Sequence, residues 1–135
     1  MLALSHRSIG QINNERLEFL GDAILDFVVS ASLFELKPDK NEGDLSRLRS
    51  RVVRGDTLAK LATALNLGDY VKLGGGELKS GGFRRSSILA DTLEAIFGAI
   101  YLDGGFEPCE KVIQHICNPV IDELPDADEL KDPKT

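Results

Sequence analysis

The sequence predicts an all-α domain, and three observations carry that reading. Apolar residues recur at helical spacing along most of the chain. No stretch sustains the alternation of a half-buried strand, and breakers fall between the periodic segments. The first helix is expected from about Asn14 to Leu36, closed by Pro38. A second runs from about Glu42 to Arg54 and a third from Asp56 to Leu65, with Gly55 and Asp56 as break and cap. The segment LGGGELKSGGF, residues 73–83, holds five glycines and predicts a loop. A long helix follows from about Ser86 to Leu102, ended by Asp103-Gly104-Gly105, and a last one from near Glu107-Pro108 to Leu124. Pro125 onward lacks apolar periodicity and reads as a linker or frayed terminus. The opening MLALSHRS reads as the end of a helix whose beginning is missing.

A chain of 135 residues fits one domain with a single core. No apolar run approaches the ~20 residues needed to cross a bilayer, and the start has no secretory signal pattern. Cys109 and Cys117 make neither a disulfide framework nor a zinc site, which points to reduced thiols in the cytoplasm. The net charge of −6 conceals an uneven distribution. Residues 45–90 hold nine Lys/Arg against three acids, a local +6, while Asp122 to Thr135 holds six acids against two lysines, a local −4.

Two helices carry candidate chemistry. On the first, projection at about 100° per residue gathers Glu15, Glu18, Asp22 and Asp26 into one narrow stripe. It places Leu17, Leu20, Ile24, Phe27, Val28 and Ala31 on the opposite, core-facing side. Phe19 falls beside the acids, away from that core. The helix at 86–102 repeats the design, with Asp91 and Glu94 opposite Leu89, Leu93, Ile96, Phe97 and Ile100. Gly98 lies on its acidic side. A helical glycine costs about 1 kcal/mol relative to alanine, and close approach by a backbone or ligand is one reason to accept that cost. An acidic pair on a helix is most often a solvated face, but solvated faces mix both charge signs, and neither stripe carries a lysine. Hard oxygen donors without an internal counter-charge suit Mg²⁺ or Mn²⁺.

The second helix supplies a complementary half. Arg47, Arg51 and Arg54 share a face opposite Leu45, Leu48 and Val52, and Lys79, Arg84 and Arg85 extend the basic stretch. Arginines beside a metal-binding acidic cluster suit a phosphodiester substrate. Ser5, Ser46, His6 and His115 form no recognisable triad. The glycine-rich loop lacks P-loop spacing and a preceding strand, so no nucleotide cofactor is expected.

NERLEFLGD (14–22) resembles the signature of the ribonuclease III family. ALSHRS (3–8), EGDLSRLRSRVVRGDTLA (42–59) and GELKSGGFRRSSILADTLEAIFGAIYLD (76–103) resemble further parts of the bacterial nuclease domain, in order. The resemblance implies the helical ribonuclease III endonuclease fold, working as a twofold homodimer with Mg²⁺, Mn²⁺ substituting. It implies hydrolysis of double-stranded RNA to 5′-phosphate and 3′-hydroxyl ends with a short 3′ overhang, in processing of ribosomal RNA precursors and other structured RNAs. The implied metal and catalytic carboxylates are Glu18, Asp22, Asp91 and Glu94, supported by Glu15 and Glu42; Phe19 matches an aromatic that packs into the partner subunit. Residues 1–124 would form the nuclease domain, its N-terminal helix shortened, and 125–135 a linker toward a double-stranded RNA-binding domain absent from the chain. Two rival readings keep the fold without the cleavage: an idle duplex-binding module, which loss of acids would mark, and a plain helical dimerisation domain. None of the six matched acids is lost.

Overall fold

The computed structural model describes residues 2–5, 13–70 and 86–124. The described residues form five α-helices and no extended strand: α1 (Glu15–Leu36), α2 (Glu42–Val53), α3 (Gly55–Ala64), α4 (Ser86–Gly104) and α5 (Phe106–Asp122). Short 3-10 turns stand at Leu2–Leu4 and Leu67–Asp69. The expected loop at 73–83 and the linker at 125–135 lie outside the described residues.

Helix ends follow local chemistry. Asn13 Oδ1 accepts a hydrogen bond from the Glu15 amide at 2.9 Å, and Asn41 Oδ1 one from the Asp44 amide at 2.9 Å, so each satisfies an orphan donor of a first turn. Asn14 is buried and its Nδ2 donates to the Ala3 carbonyl at 3.0 Å, which ties the amino-terminal turn to the start of α1. The break between α2 and α3 falls one residue earlier than expected. Arg54 takes the extended conformation (φ −60°, ψ 147°), and Gly55 and Asp56 are already helical. Between α4 and α5 the turn is Gly105 alone, at φ +89°, a left-handed position that suits glycine.

α4 is the centre of the bundle and packs against α1, α3 and α5. Phe97 and Leu93 on α4 share one hydrophobic core with Leu25, Val28, Val29 and Leu33 of α1, Leu48 and Val52 of α2, Leu58 and Ala62 of α3, and Ile113 and Ile121 of α5. Cys109 and Cys117 are free and buried, as the composition implied. Burial pushes the Cys117 thiol up to about 12, so it stays a protonated core side chain. Among the described residues no helix is long and apolar enough to cross a membrane.

The core-facing side of α1 departs from the sequence projection. Phe27 is 61% exposed, stacking on Phe106 at 5.5 Å, and Ala31 is exposed. Leu25, Val29 and Leu33 are buried instead, together with Ile24 and Val28. Leu25, Val29 and Leu33 lie on the same side of α1 as the carboxylate stripe, so the acids adjoin the buried side of the helix and do not simply oppose it. The projection took the densest run of apolar side chains as the core. The true core side is set by α4, which crosses α1 where glycine admits it.

That crossing is backbone to backbone. A Cβ at Gly21 would lie 1.7 Å from the Glu94 carbonyl oxygen, and one at Gly98 would lie 2.3 Å from that of Leu17. Gly98 therefore has the close approach that its helical cost suggested, and Gly21 is its counterpart. Gly21→Ala is expected to cost about 3 kcal/mol or more, at or beyond the upper end of overpacking penalties. Gly55→Ala, with nothing within 4 Å of its Cβ, should be neutral or slightly stabilising. Melting curves of the two variants check this; equal melting temperatures would refute the close contact.

A candidate metal centre at the crossing of two helices

With α1 and α4 in contact at Gly21 and Gly98, the residues one turn away on each helix must face one another. Glu18 precedes Gly21 by three residues and Asp22 follows it. On α4, Asp91 and Glu94 precede Gly98 by seven and four. Carboxylate oxygens of Glu18, Asp91 and Glu94 all lie within 4.8 Å of one another. Asp22 is exposed but joins the group through a side-chain hydrogen bond with Glu94. Glu15, Glu18, Phe19, Asp22 and Glu94 line one open pocket of about 410 Å³.

Glu94 is the innermost member, 8% exposed. Burial first, then the hydrogen bond and negative charge of Asp22, and then the charges of Glu18 and Asp91, push its carboxyl up to about 9. Asp26, one turn beyond Asp22, is also raised, by burial and by Asp22, with Arg49 acting in the opposite direction. A fold that holds three carboxylates together and forces a proton onto one of them is poorly satisfied without a cation. The donor set is all oxygen, with no imidazole or thiolate, and fits Mg²⁺ or Mn²⁺ better than zinc or copper. Glu18, Asp91 and Glu94 are the residues that could hold the ion, with Asp22 beside them.

The other expected site residues are dispersed. Glu15 lines the acidic pocket, whereas Glu42 stands in a groove between α1 and α2 that also meets Leu33 and Phe34. That is roughly 16 Å along α1 from Asp22 at 1.5 Å per residue. Arg47 is half-buried and paired with Asp44 of its own helix, its Nε buried with no hydrogen-bond partner among the described residues. Arg54 pairs with Asp56 at 3.1 Å, at the break and not on the helical face. Arg51 is exposed on the opposite flank, beside Thr57 and Lys60. Among the described residues, Arg47 and Arg54 thus pair with Asp44 and Asp56 and not with the acids of the cluster. Lys79, Arg84 and Arg85 lie outside the described residues. Phe19 is 80% exposed and lines both the acidic pocket and an apolar cavity of about 710 Å³ with Leu2, Arg16, Leu20 and Leu102. The sequence reading missed Gly21, detectable as a second helical glycine, next to Asp22.

A family model described as ribonuclease-III-like matches residues 1–120. A ribonuclease 3 from Dechloromonas aromatica (strain RCB) is 59% identical over 133 residues, which is 98% of this chain and 60% of that protein. One from Pseudomonas fluorescens (strain SBW25) is 58% identical over all of this chain and 59% of its own. The chain thus spans about three-fifths of the length of the curated relatives it matches. Two structures of the nuclease domain of ribonuclease III from Campylobacter jejuni are similar, each with a TM-score of 0.85. One is 46% identical, covering 87% of this chain and 83% of that one, and concerns flexibility in a region involved in dimer formation. The other is 44% identical, covering 92% and 85%.

The Glu94 carboxyl gives a signed pH dependence. Its ordinary value is 4.5 and its folded value about 9, so between those limits the folded state holds a proton that the unfolded chain releases. Stability of the protein in chelator should fall as pH rises from about 4.5 towards 9. Glu94→Gln should flatten that fall. Mg²⁺ must displace the proton, so the rise in melting temperature on adding it should be larger at pH 8.5 than at pH 6. It corresponds to about 2.7 kcal/mol at a hundred times Kd. Calorimetry across pH checks this; a stability that climbs over the same range would contradict it.

Proposed function

The chain belongs to the ribonuclease III family, and from that premise we propose that it is the nuclease unit of a metal-dependent endonuclease that cuts double-stranded RNA. The observation that carries the reading is the convergence of Glu18, Asp91 and Glu94, with Asp22 hydrogen-bonded to Glu94, at the glycine crossing of α1 and α4. The oxygen donor set and the ribonuclease-III-like match support the same kind of chemistry.

In this reading Glu18, Asp91 and Glu94 hold Mg²⁺, or Mn²⁺ in its place, and Asp22 positions the group from the solvent side. A bound divalent cation supplies a polarised phosphate oxygen and a water of lowered pKa. The protein's part is orientation. Buried Glu94 gives up its proton on loading and is fixed from two sides, by the backbone contact and by Asp22. Glu15 adds negative charge at the pocket wall, while Glu42 acts on the substrate outside this cluster. Hydrolysis leaves 5′-phosphate and 3′-hydroxyl ends, with the short 3′ overhang that two offset cuts on antiparallel strands produce. The natural substrates are precursors of ribosomal RNA and other structured RNAs in the cytoplasm, read by shape and phosphates more than by sequence.

Two cuts on two strands call for two symmetry-related sites, and a twofold homodimer supplies them. Exposed Phe19 beside an apolar cavity supports that assembly, since a twofold interface uses one patch twice and needs both an insert and a receptacle. Phe19 also walls the acidic pocket, so pairing would shape the site.

Glu94→Ala is expected to lower cleavage of long duplex RNA in Mg²⁺ by more than ~100-fold, beyond the usual effect of losing a group that only supports a ligand. Retention of wild-type rates would remove Glu94 from the site. Duplex binding by the wild type without any cutting, in Mg²⁺ or Mn²⁺, would favour the idle binding module. Phe19→Ala should weaken the dimer by about 2 kcal/mol or more, the scale of an interface hot spot, which sedimentation at micromolar concentration measures.

A further inference from the structure

We propose that the groove between α1 and α2, at Ser30, Lys40, Ser46 and Arg49, binds a backbone phosphate of the duplex well away from the bond being cut. The inference rests on the nuclease reading above. The groove encloses about 520 Å³ over an apolar floor that includes Leu33 and Leu45. Its polar wall offers two cations against the single carboxylate of Glu42, together with two hydroxyls that can donate to phosphate oxygens.

Arg49 is the centre of the argument. Arg47 and Arg54 are each paired with a carboxylate, from Asp44 and Asp56. Arg49 Nη1 instead donates to Ser30 Oγ at 3.0 Å. A hydroxyl fixes the guanidinium without neutralising it, and leaves other donors of the fork for the bidentate contact that phosphate accepts. Among the described residues, Lys40 makes one ion-pair contact, a long one of 3.9 Å to Asp39. The acid nearest in character to a competitor is Asp26, a half-buried carboxyl on which Arg49 acts.

The groove is also aligned with the acidic cluster. Glu18, Asp22, Asp26 and Ser30 succeed one another at four-residue intervals, so they form one ridge along α1. Ser30 lies roughly 18 Å from Glu18 along that ridge, at 1.5 Å per residue. With about one phosphate per strand for roughly every 3 Å of the axis of an A-form duplex, this is on the order of six base pairs. A backbone that follows the ridge with its scissile phosphate at the acids would carry a later phosphate to Arg49. Such a contact positions the duplex and reads no bases.

The test is steady-state cleavage by wild type, Arg49→Ala and Arg49→Lys on two duplexes. One extends well past the groove; the other stops fewer than about six base pairs beyond the cut. On the long duplex Arg49→Ala is expected to raise KM roughly 3- to 10-fold with kcat retained, and to reduce the slope of log KM against log salt by about 0.9. Arg49→Lys should recover the salt slope, and on the short duplex all three proteins should agree. Melting temperatures should match, because Arg49 is exposed. An unchanged KM and slope on the long duplex, a change of equal size on the short one, or a loss confined to kcat overturns the proposal and leaves the nuclease reading standing. A wild type that neither binds nor cuts duplex RNA overturns both.

Discussion

The contact between the α1 and α4 backbones, at Gly21 against the Glu94 carbonyl and Gly98 against the Leu17 carbonyl, governs the rest of the molecule. Helices separated by ordinary side chains stand 8–10 Å apart; here no side chain intervenes at the crossing. Each helical glycine costs about 1 kcal/mol in propensity, and what it admits is the short distance that places acids from two helices around one point. The same contact rotates α1 so that Leu25, Val29 and Leu33 are buried against the bundle, with the carboxylate stripe continuing their side. Core and candidate site are thus two stretches of one interface. The glycines join them.

Charge repulsion sharpens this dependence. Glu94 is buried among Asp22, Glu18 and Asp91, and its carboxyl is pushed up to about 9 as a result. Helices free to separate would relieve that repulsion by moving apart by an ångström or so. These cannot do so without surrendering the core that Phe97 and Leu93 build around the same crossing. Packing therefore holds the acids in an arrangement that electrostatics alone would disperse, and a divalent cation is a ligand that would turn that repulsion into binding.

Much of the fold was legible in the sequence because helix ends are decided locally. Pro38, the Asn41 cap and the Gly105 turn each act within a few residues, and the expected helices match the observed ones to within about two residues. Which side of α1 faces inward was not legible, since that depends on where α4 crosses and no single-helix projection contains α4. Phe27 read as core and instead stacks at the surface on Phe106, while Leu33, outside the set projected as core, is buried. The two acidic stripes could be picked out because neither carried a lysine. Their convergence could not, because it is a property of two helices together. The arginines show the opposite limit: projection gave a face, but Asp44 and Asp56 decide which members of it are already paired.

Phe19 ties these strands together. It sits one residue after Glu18 and is 80% exposed, with the acidic pocket on one side and the apolar cavity on the other. Leaving a phenyl ring in water has a hydrophobic cost on the order of 1.5–3 kcal/mol relative to burial, so a surface that retains one beside a cavity is incomplete as a monomer. Covering the cavity would shield one wall of the acidic pocket and lower the local dielectric, strengthening every interaction between carboxylate and cation within it. In the proposed dimer, pairing and metal affinity are therefore coupled through a single side chain. On the proposed readings the ridge running from Glu18 to Ser30 carries the same logic outward, so that α1 alone would offer a partner contact, an acidic site and, at its far end, an anchor for the substrate backbone.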